Sequence, residues 1–153
     1  MRYWLMKSEP STYGIDQLAA ARRKTDHWDG IRNYQARNFM REMKVGDQAF
    51  FYHSNCAEPG VIGIVEIARE HYPDFTAFDP KSSYYDAKSS ASNPRWYMVD
   101  VRFVRKMKGA ILLSEIKQNP LLKELRLVRR GNRLSVMPVT AKEWKAIIRM
   151  EKR

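Results

Sequence analysis

The chain has 153 residues, 44% of them hydrophobic, and its 28 Lys and Arg against 17 Asp and Glu give a net charge of +11. That size suits a single domain, residues 1–153, whose core needs no staples; no apolar run approaches the ~20 residues of a membrane span, and the one cysteine, Cys56, excludes an intramolecular disulfide and a cysteine-based zinc site. The positive surplus favours polyanionic partners, nucleic acid ahead of an anionic membrane, with a merely solvated cationic surface as the bland alternative.

The opening MRYWLMKSEP has no apolar signal core, so a cytosolic setting is expected, or a nuclear one in a eukaryote. Residues 2–7 alternate, with Tyr3, Leu5 and Lys7 on one side and Trp4 and Met6 on the other, which predicts a strand broken by Ser8-Glu9-Pro10-Ser11. Residues 15–23 form a helix candidate, and the charged RRKTDH after it delivers Trp28 on a loop. From Asn33, a fitting N-cap, Ala36, Phe39, Met40 and Met43 fall on one helical face that Val45-Gly46-Asp47 ends.

Residues 48–54 and 61–72 read as a hairpin joined by the turn formers of 55–60. Residues 72–94, with five aromatics among Pro, Asp and Ser, read as an ordered loop of the kind that covers a site. Strand alternation returns at 96–106; a short helix opens at Ser114 and is interrupted by Pro120; a last strand spans 133–139 after the turn Arg130-Gly131-Asn132. Thr140 and Glu143 make a capping box for a closing helix with Trp144, Ile147 and Ile148 on its apolar stripe. Strands scattered among short helices, without regular alternation of the two, imply an α+β domain around a small, mainly antiparallel barrel.

For chemistry, His27, His53 and His71 are far apart and fit no metal spacing, and the seven glycines form no phosphate loop, so neither a metal site nor a nucleotide cofactor is expected. Basic residues gather at Arg22 to Lys24, read as a solvated face, in RFVRKMKG from Arg102, and in KELRLVRRGNR, where a tight turn would splay Arg129, Arg130 and Arg133 toward phosphates, with a solvated face as the equal alternative. Trp28, a large ring in a charged loop, either covers the core or walls a pocket.

YWLMKSEP at 3–10, WDGIRNYQARNFM at 28–40, GDQAFFYHSN at 46–55, PGVIGIVEI at 59–67, YPDFTAFDPKSSYYD at 72–86, PRWYMVDVRF at 94–103 and RLSVMPVTAKEW at 133–144 together resemble the EVE domain family, in the same order from about residue 2 to 148. The resemblance implies a PUA-like fold, a curved, mainly antiparallel β-barrel of about five or six strands flanked by short helices, related to the YTH, ASCH and SRA-type readers. It also implies binding of nucleic acid that carries a modified base, a modified cytosine in DNA above all, or RNA, with the base flipped into a cleft. Carried over by position, Trp28 is the stacking candidate; Ser8, Glu9, Asn33, Tyr34, Arg37, Tyr52, His53 and Ser54 complete the expected base pocket. Arg129, Arg130 and Arg133 are phosphate candidates on charge alone. The loop YYDAKSSASNPRW departs from the family in being Ser-rich where acidic residues are expected, and Ile31 stands where Val is more familiar.

The expectation is thus a non-catalytic reader without metal, cofactor or membrane contact. An enzyme acting on a modified base in the same cleft is the alternative from another class, with only Glu9, His53 or Cys56 to serve as base or nucleophile. A basic RNA-binding module without a base pocket is the third reading.

Overall fold

A computed structural model describes residues 1–151. Six strands form one sheet in the order β2-β5-β4-β3-β1-β6: β1 Tyr3–Ser8, β2 Thr25–Trp28, β3 Gln48–His53, β4 Gly60–Pro73, β5 Tyr97–Leu112 and β6 Val136–Val139. All neighbours pair antiparallel except β1 and β3, which run parallel because the segment between them crosses over through helix α1 (Ile15–Ala20), β2 and helix α2 (Tyr34–Glu42). Helix α3 (Leu113–Gln118) follows β5, and helix α4 (Ala141–Arg149) closes the described chain. The long β4-β5 ladder shifts register four times, and such bulges bend and twist a sheet until it curls around a core. The curl stays open, since β2 and β6 are its end strands.

The strand expected at the start of the chain is β1, and it is buried on both sides. Trp4, Leu5 and Met6 are all fully buried, because β1 lies between β3 and β6 and is covered on both faces. Trp4 meets Phe39 of α2 at 6.2 Å, while Trp144 of α4 stacks on Phe50 of β3 at 3.8 Å and on Tyr3 of β1 at 4.5 Å. Helices α2 and α4 are held by the caps their sequences suggest. Asn33 accepts from the Ala36 N–H at 2.9 Å, and Thr140 and Glu143 cap α4 reciprocally.

Four boundaries differ from the sequence reading. Trp28 does not sit on a loop: it ends the edge strand β2, which shows no apolar alternation of its own and forms by pairing with the outer edge of β5, Trp28 opposite Val99. Helix α1 stops at Ala20 instead of 23, since Arg22–Lys24 has no buried side chain and turns as a short 3-10 segment. Strand β5 runs on to Leu112, its Met107 and Ile111 buried, and β6 begins only at Val136.

Candidate functional site

At the open seam of the sheet, the end of β1, the end of β2 and the approach to β6 enclose a cleft of about 520 Å³. Lys7, Ser8 and Glu9 line it from β1, Asp26, His27 and Trp28 from β2, Arg133, Leu134 and Ser135 from the β6 side, with Thr12, Tyr13, Asp29, Gly30, Ile31, Ser54 and Tyr84 completing the wall.

The β1 side is fixed by the chain break that the sequence announces at 8–11. The Ser8 hydroxyl donates to the Tyr13 carbonyl at 2.6 Å, the Ser8 carbonyl accepts from the Ser54 N–H at 3.0 Å, and the Glu9 carbonyl closes the turn by accepting from Thr12 and Tyr13 at 2.9 and 2.8 Å. Glu9 itself is exposed at the rim. Trp28 is only 7% exposed and meets Phe51 edge to face at 5.3 Å, so it belongs to the wall and does not close over the opening as a lid.

Beside it lies a cluster of charges. The Tyr13 hydroxyl donates to Asp26 at 2.6 Å, and burial followed by this carboxylate raises the Tyr13 pKa, keeping the phenol protonated. His27 reaches Asp26 through Nδ1 at 3.2 Å and Asp29 through Nε2 at 3.7 Å. Burial pushes the Asp29 carboxyl up, with His27 opposing and Asp74 adding to the rise.

Opposite, Tyr84 is delivered by the long loop. Asp74, with no solvent exposure, accepts from the Gly30 N–H at 2.9 Å, from Arg32 at 3.0 Å and from the Thr76 N–H at 2.9 Å; Arg32 in turn donates to the Tyr84 carbonyl through Nε at 3.1 Å and Nη2 at 2.7 Å. The Tyr84 ring rests on Gly30, where φ is +80° and a Cβ would stand 2.5 Å from Tyr84 Cζ, so that no other residue fits there unstrained.

Of the residues expected at the pocket, Ser8, Glu9, Trp28 and Ser54 come together in the cleft, and Arg133 joins them at its edge. Asn33, Tyr34, Arg37, Tyr52 and His53 lie outside its lining. The Asn33 side chain is occupied as the α2 cap; Tyr34 stacks on Trp96 at 4.8 Å, with the Arg37 guanidinium over the Tyr34 ring at 4.8 Å from its centroid and bonded to the Arg95 carbonyl at 3.0 Å. Tyr52 is a core residue, 2% exposed, its hydroxyl pushed up to about 12 by burial first and then by Cys56. His53 Nε2 accepts from the Ile15 N–H at the start of α1 at 3.2 Å, and burial lowers its pKa, which keeps that lone pair available. Its role is to hold α1.

Arg129, Arg130 and Arg133 line a groove of about 330 Å³ with Arg126, Asn33 and Asn132, and Arg133 and Leu134 belong to both groove and cleft. A basic channel therefore opens directly into a cleft that carries the carboxylates of Glu9, Asp26 and Asp29. Asp26, Asp29, Tyr13 and Tyr84 escaped sequence reasoning, although Asp29-Gly30 in WDGIRN is a turn signal and Tyr84 stands in an aromatic-rich loop. Among the described residues no group of three or more His, Cys, Asp or Glu could hold a metal ion, and no helix is long and apolar enough to cross a membrane.

The EVE domain family model matches residues 2–150. Thymocyte nuclear protein 1 of Danio rerio is 50% identical to this chain over 97% of it and 71% of the relative. A Pseudomonas putida protein known from its crystal structure aligns at a TM-score of 0.93 and 51% identity, covering 97% of this chain and 98% of that one. The crystal structure of human THYN1 in complex with DNA containing 5-methylcytosine aligns at a TM-score of 0.93 and 44% identity, covering 100% of this chain and 99% of that one.

Proposed function

The chain belongs to the EVE domain family, with its PUA-like fold, and on that premise we propose that it is a non-catalytic reader that takes a flipped modified base, a modified cytosine in DNA first, into the cleft between β1, β2 and the approach to β6. The observation that carries this reading is the union of an aromatic cleft containing carboxylates with an arginine groove that meets it at Arg133. A phosphate would be repelled by Glu9, Asp26 and Asp29, whereas a neutral base with an exocyclic amine needs an acceptor of that kind, the pairing by which Asp and Glu read cytosine N4. The human relative bound to 5-methylcytosine DNA supports the same ligand class.

In this reading Trp28 and Tyr84 wall the base, Ser8, Glu9 and Ser54 with Asp26 and Asp29 meet its polar edge, and Arg129, Arg130 and Arg133 take the backbone, while Asn33 holds the start of α2. Tyr34, Arg37, Tyr52 and His53 support the scaffold. Stacking on one ring contributes about 1–3 kcal/mol per base and each mismatched polar group costs about 1–3 kcal/mol, while one buried methyl adds only ~0.8 kcal/mol. Discrimination between bases thus rests on the polar edge, and recognition of a methyl needs a closely shaped wall. The reading is non-catalytic because, of the three candidates for base or nucleophile, His53 and Cys56 lie outside the cleft lining, His53 spending its lone pair on the Ile15 N–H, and Glu9 is exposed at the rim.

The test compares dissociation constants for DNA and RNA oligonucleotides that differ only in one modified cytosine. Trp28→Ala, or Trp28→Phe where the alanine variant loses its fold by circular dichroism, should abolish or blunt the preference; Arg130→Gln should weaken modified and unmodified ligands alike and lower the salt slope by about 1. Selectivity that survives both Trp28 variants would end the pocket reading.

A further inference from the structure

Away from the cleft and the arginine groove, the outer face of the sheet carries a second cationic surface. An open depression of about 820 Å³ is lined by Arg22, Arg23, Thr25, Arg69, Asp100 and Arg102 with Ala68. Sequence alone makes Arg22–Lys24 a solvated face; the fold sets Arg22 and Arg23 beside Arg69 of β4 and Arg102 of β5, residues distant in the chain. Its acids are already engaged, Glu66 with Arg102 and Asp100 with the Tyr72 hydroxyl at 2.5 Å. Arg22 and Arg23 make no ion pair among the described residues. The surface therefore holds surplus positive charge with free guanidinium donors, the chemistry that grips phosphodiester oxygens.

Position gives this charge a role. Strand β2 connects the two places: Thr25 lines the depression while Asp26, His27 and Trp28 line the cleft. Strand residues are about 3.3 Å apart and one nucleic-acid strand advances about 3.4 Å per nucleotide, so from Asp26 at the near end of the cleft to Trp28 at the far end the depression lies within about three nucleotides of the base. The Arg129–Arg133 groove meets the cleft on the β6 side at Arg133 and Leu134, and this depression lies on the β2 side, separated from the cleft by the Thr25–Asp26 step.

We infer that Arg22 and Arg23, flanked by Arg69 and the Glu66-paired Arg102, form a second phosphate-binding surface that holds the duplex flank within about three nucleotides of the read base, on the β2 side of the cleft away from the Arg129–Arg133 groove. This rests on the cleft's reading as a base site. The geometry makes the flank length the decisive variable: a duplex that ends before the depression has no phosphate to offer it, and a longer one does.

The experiment uses the full chain and an Arg22→Gln/Arg23→Gln variant, with duplexes carrying one 5-methylcytosine at one to eight base pairs from either end. The variant should match the wild type on the shortest flanks and bind about 3- to 30-fold more weakly once one particular flank exceeds about three pairs, with a salt slope lower by about 1–2 and an unchanged ratio of methylated to unmethylated affinity. An equal loss at every flank length would show only a long-range field, and no loss at any length would show solvated arginines; either overturns the inference. A wild type that binds no duplex overturns the cleft reading as well, whereas a wild type that prefers the methylated duplex beside a variant without flank-dependent loss overturns this inference alone.

Discussion

Breaking the Arg32–Asp74 pair is the sharpest test of how the cleft is held together. Asp74 is fully buried and Arg32 is 22% exposed, and the two sit 3.0 Å apart. Arg32→Ala leaves a buried carboxylate with only the neutral donors of Gly30 and Thr76, and strips the Tyr84 carbonyl of both its guanidinium bonds. Removing one partner of a buried pair costs about 3–5 kcal/mol, and the surviving donors place this case near the lower end, ~3 kcal/mol. For a domain of this size that lowers Tm by about 6–12 °C in a thermal melt followed by circular dichroism. Arg32→Met combined with Asp74→Asn removes both charges and should recover at least ~1 kcal/mol of the single-variant sum, because the uncompensated carboxylate is gone. A loss below ~1 kcal/mol for Arg32→Ala, additive with Asp74→Asn, is the behaviour of an exposed pair and would refute the claim that this pair pins the 75–86 loop onto the cleft.

Two further perturbations follow from the same scaffold. Gly30→Ala forces a Cβ to within 2.5 Å of Tyr84 Cζ at a φ of +80°, so it should keep a folded spectrum at a cost of about 1–2 kcal/mol while weakening binding of a methylcytosine duplex; unchanged affinity in the folded variant would remove Tyr84 from the site. At Asp47, burial alone would raise the carboxyl, but bonds from the Arg2 N–H, the Trp4 indole and the Lys44 N–H outweigh it and hold the pKa below its ordinary value. A carboxylate lowered on folding stabilises the protein above its unfolded pKa of about 3.9 and loses that contribution as pH falls through the folded value. Asp47→Ala should therefore cost about 1–3 kcal/mol at neutral pH for the orphaned buried indole alone, and show less acid sensitivity below about pH 4 in urea titrations; an unchanged acid limb contradicts the assignment.

What the residues reveal unaided divides by range. Helix α2 with its Asn33 cap, the α4 capping box and the β3-β4 hairpin are legible because their signals lie within a few residues of one another. Strand β2 is not, since TDHW carries no apolar alternation and gains its conformation from β5, more than seventy residues away. The same cause hid half of the cleft. Ser8, Glu9, Trp28 and Ser54 come from the family resemblance and not from local signals, whereas Asp26 and Asp29 become cleft residues only when β2 joins the sheet edge, and Tyr84 only when Arg32 and Asp74 fold its loop back. Conversely, Tyr52 and His53 end a strand that looks like a pocket rim, yet one is packed inside and the other caps α1.

The most direct measurement of whether the cleft takes a flipped base is the emission of a 2-aminopurine placed next to a single 5-methylcytosine in a duplex, titrated with protein. Extrusion of the methylcytosine unstacks its neighbour, so emission should rise to saturation with the same midpoint as binding, and the rise should be lost with Trp28→Ala or reduced with Trp28→Phe. Binding at that midpoint with no change in emission would mean that the base stays in the stack, and would contradict the assignment of the cleft.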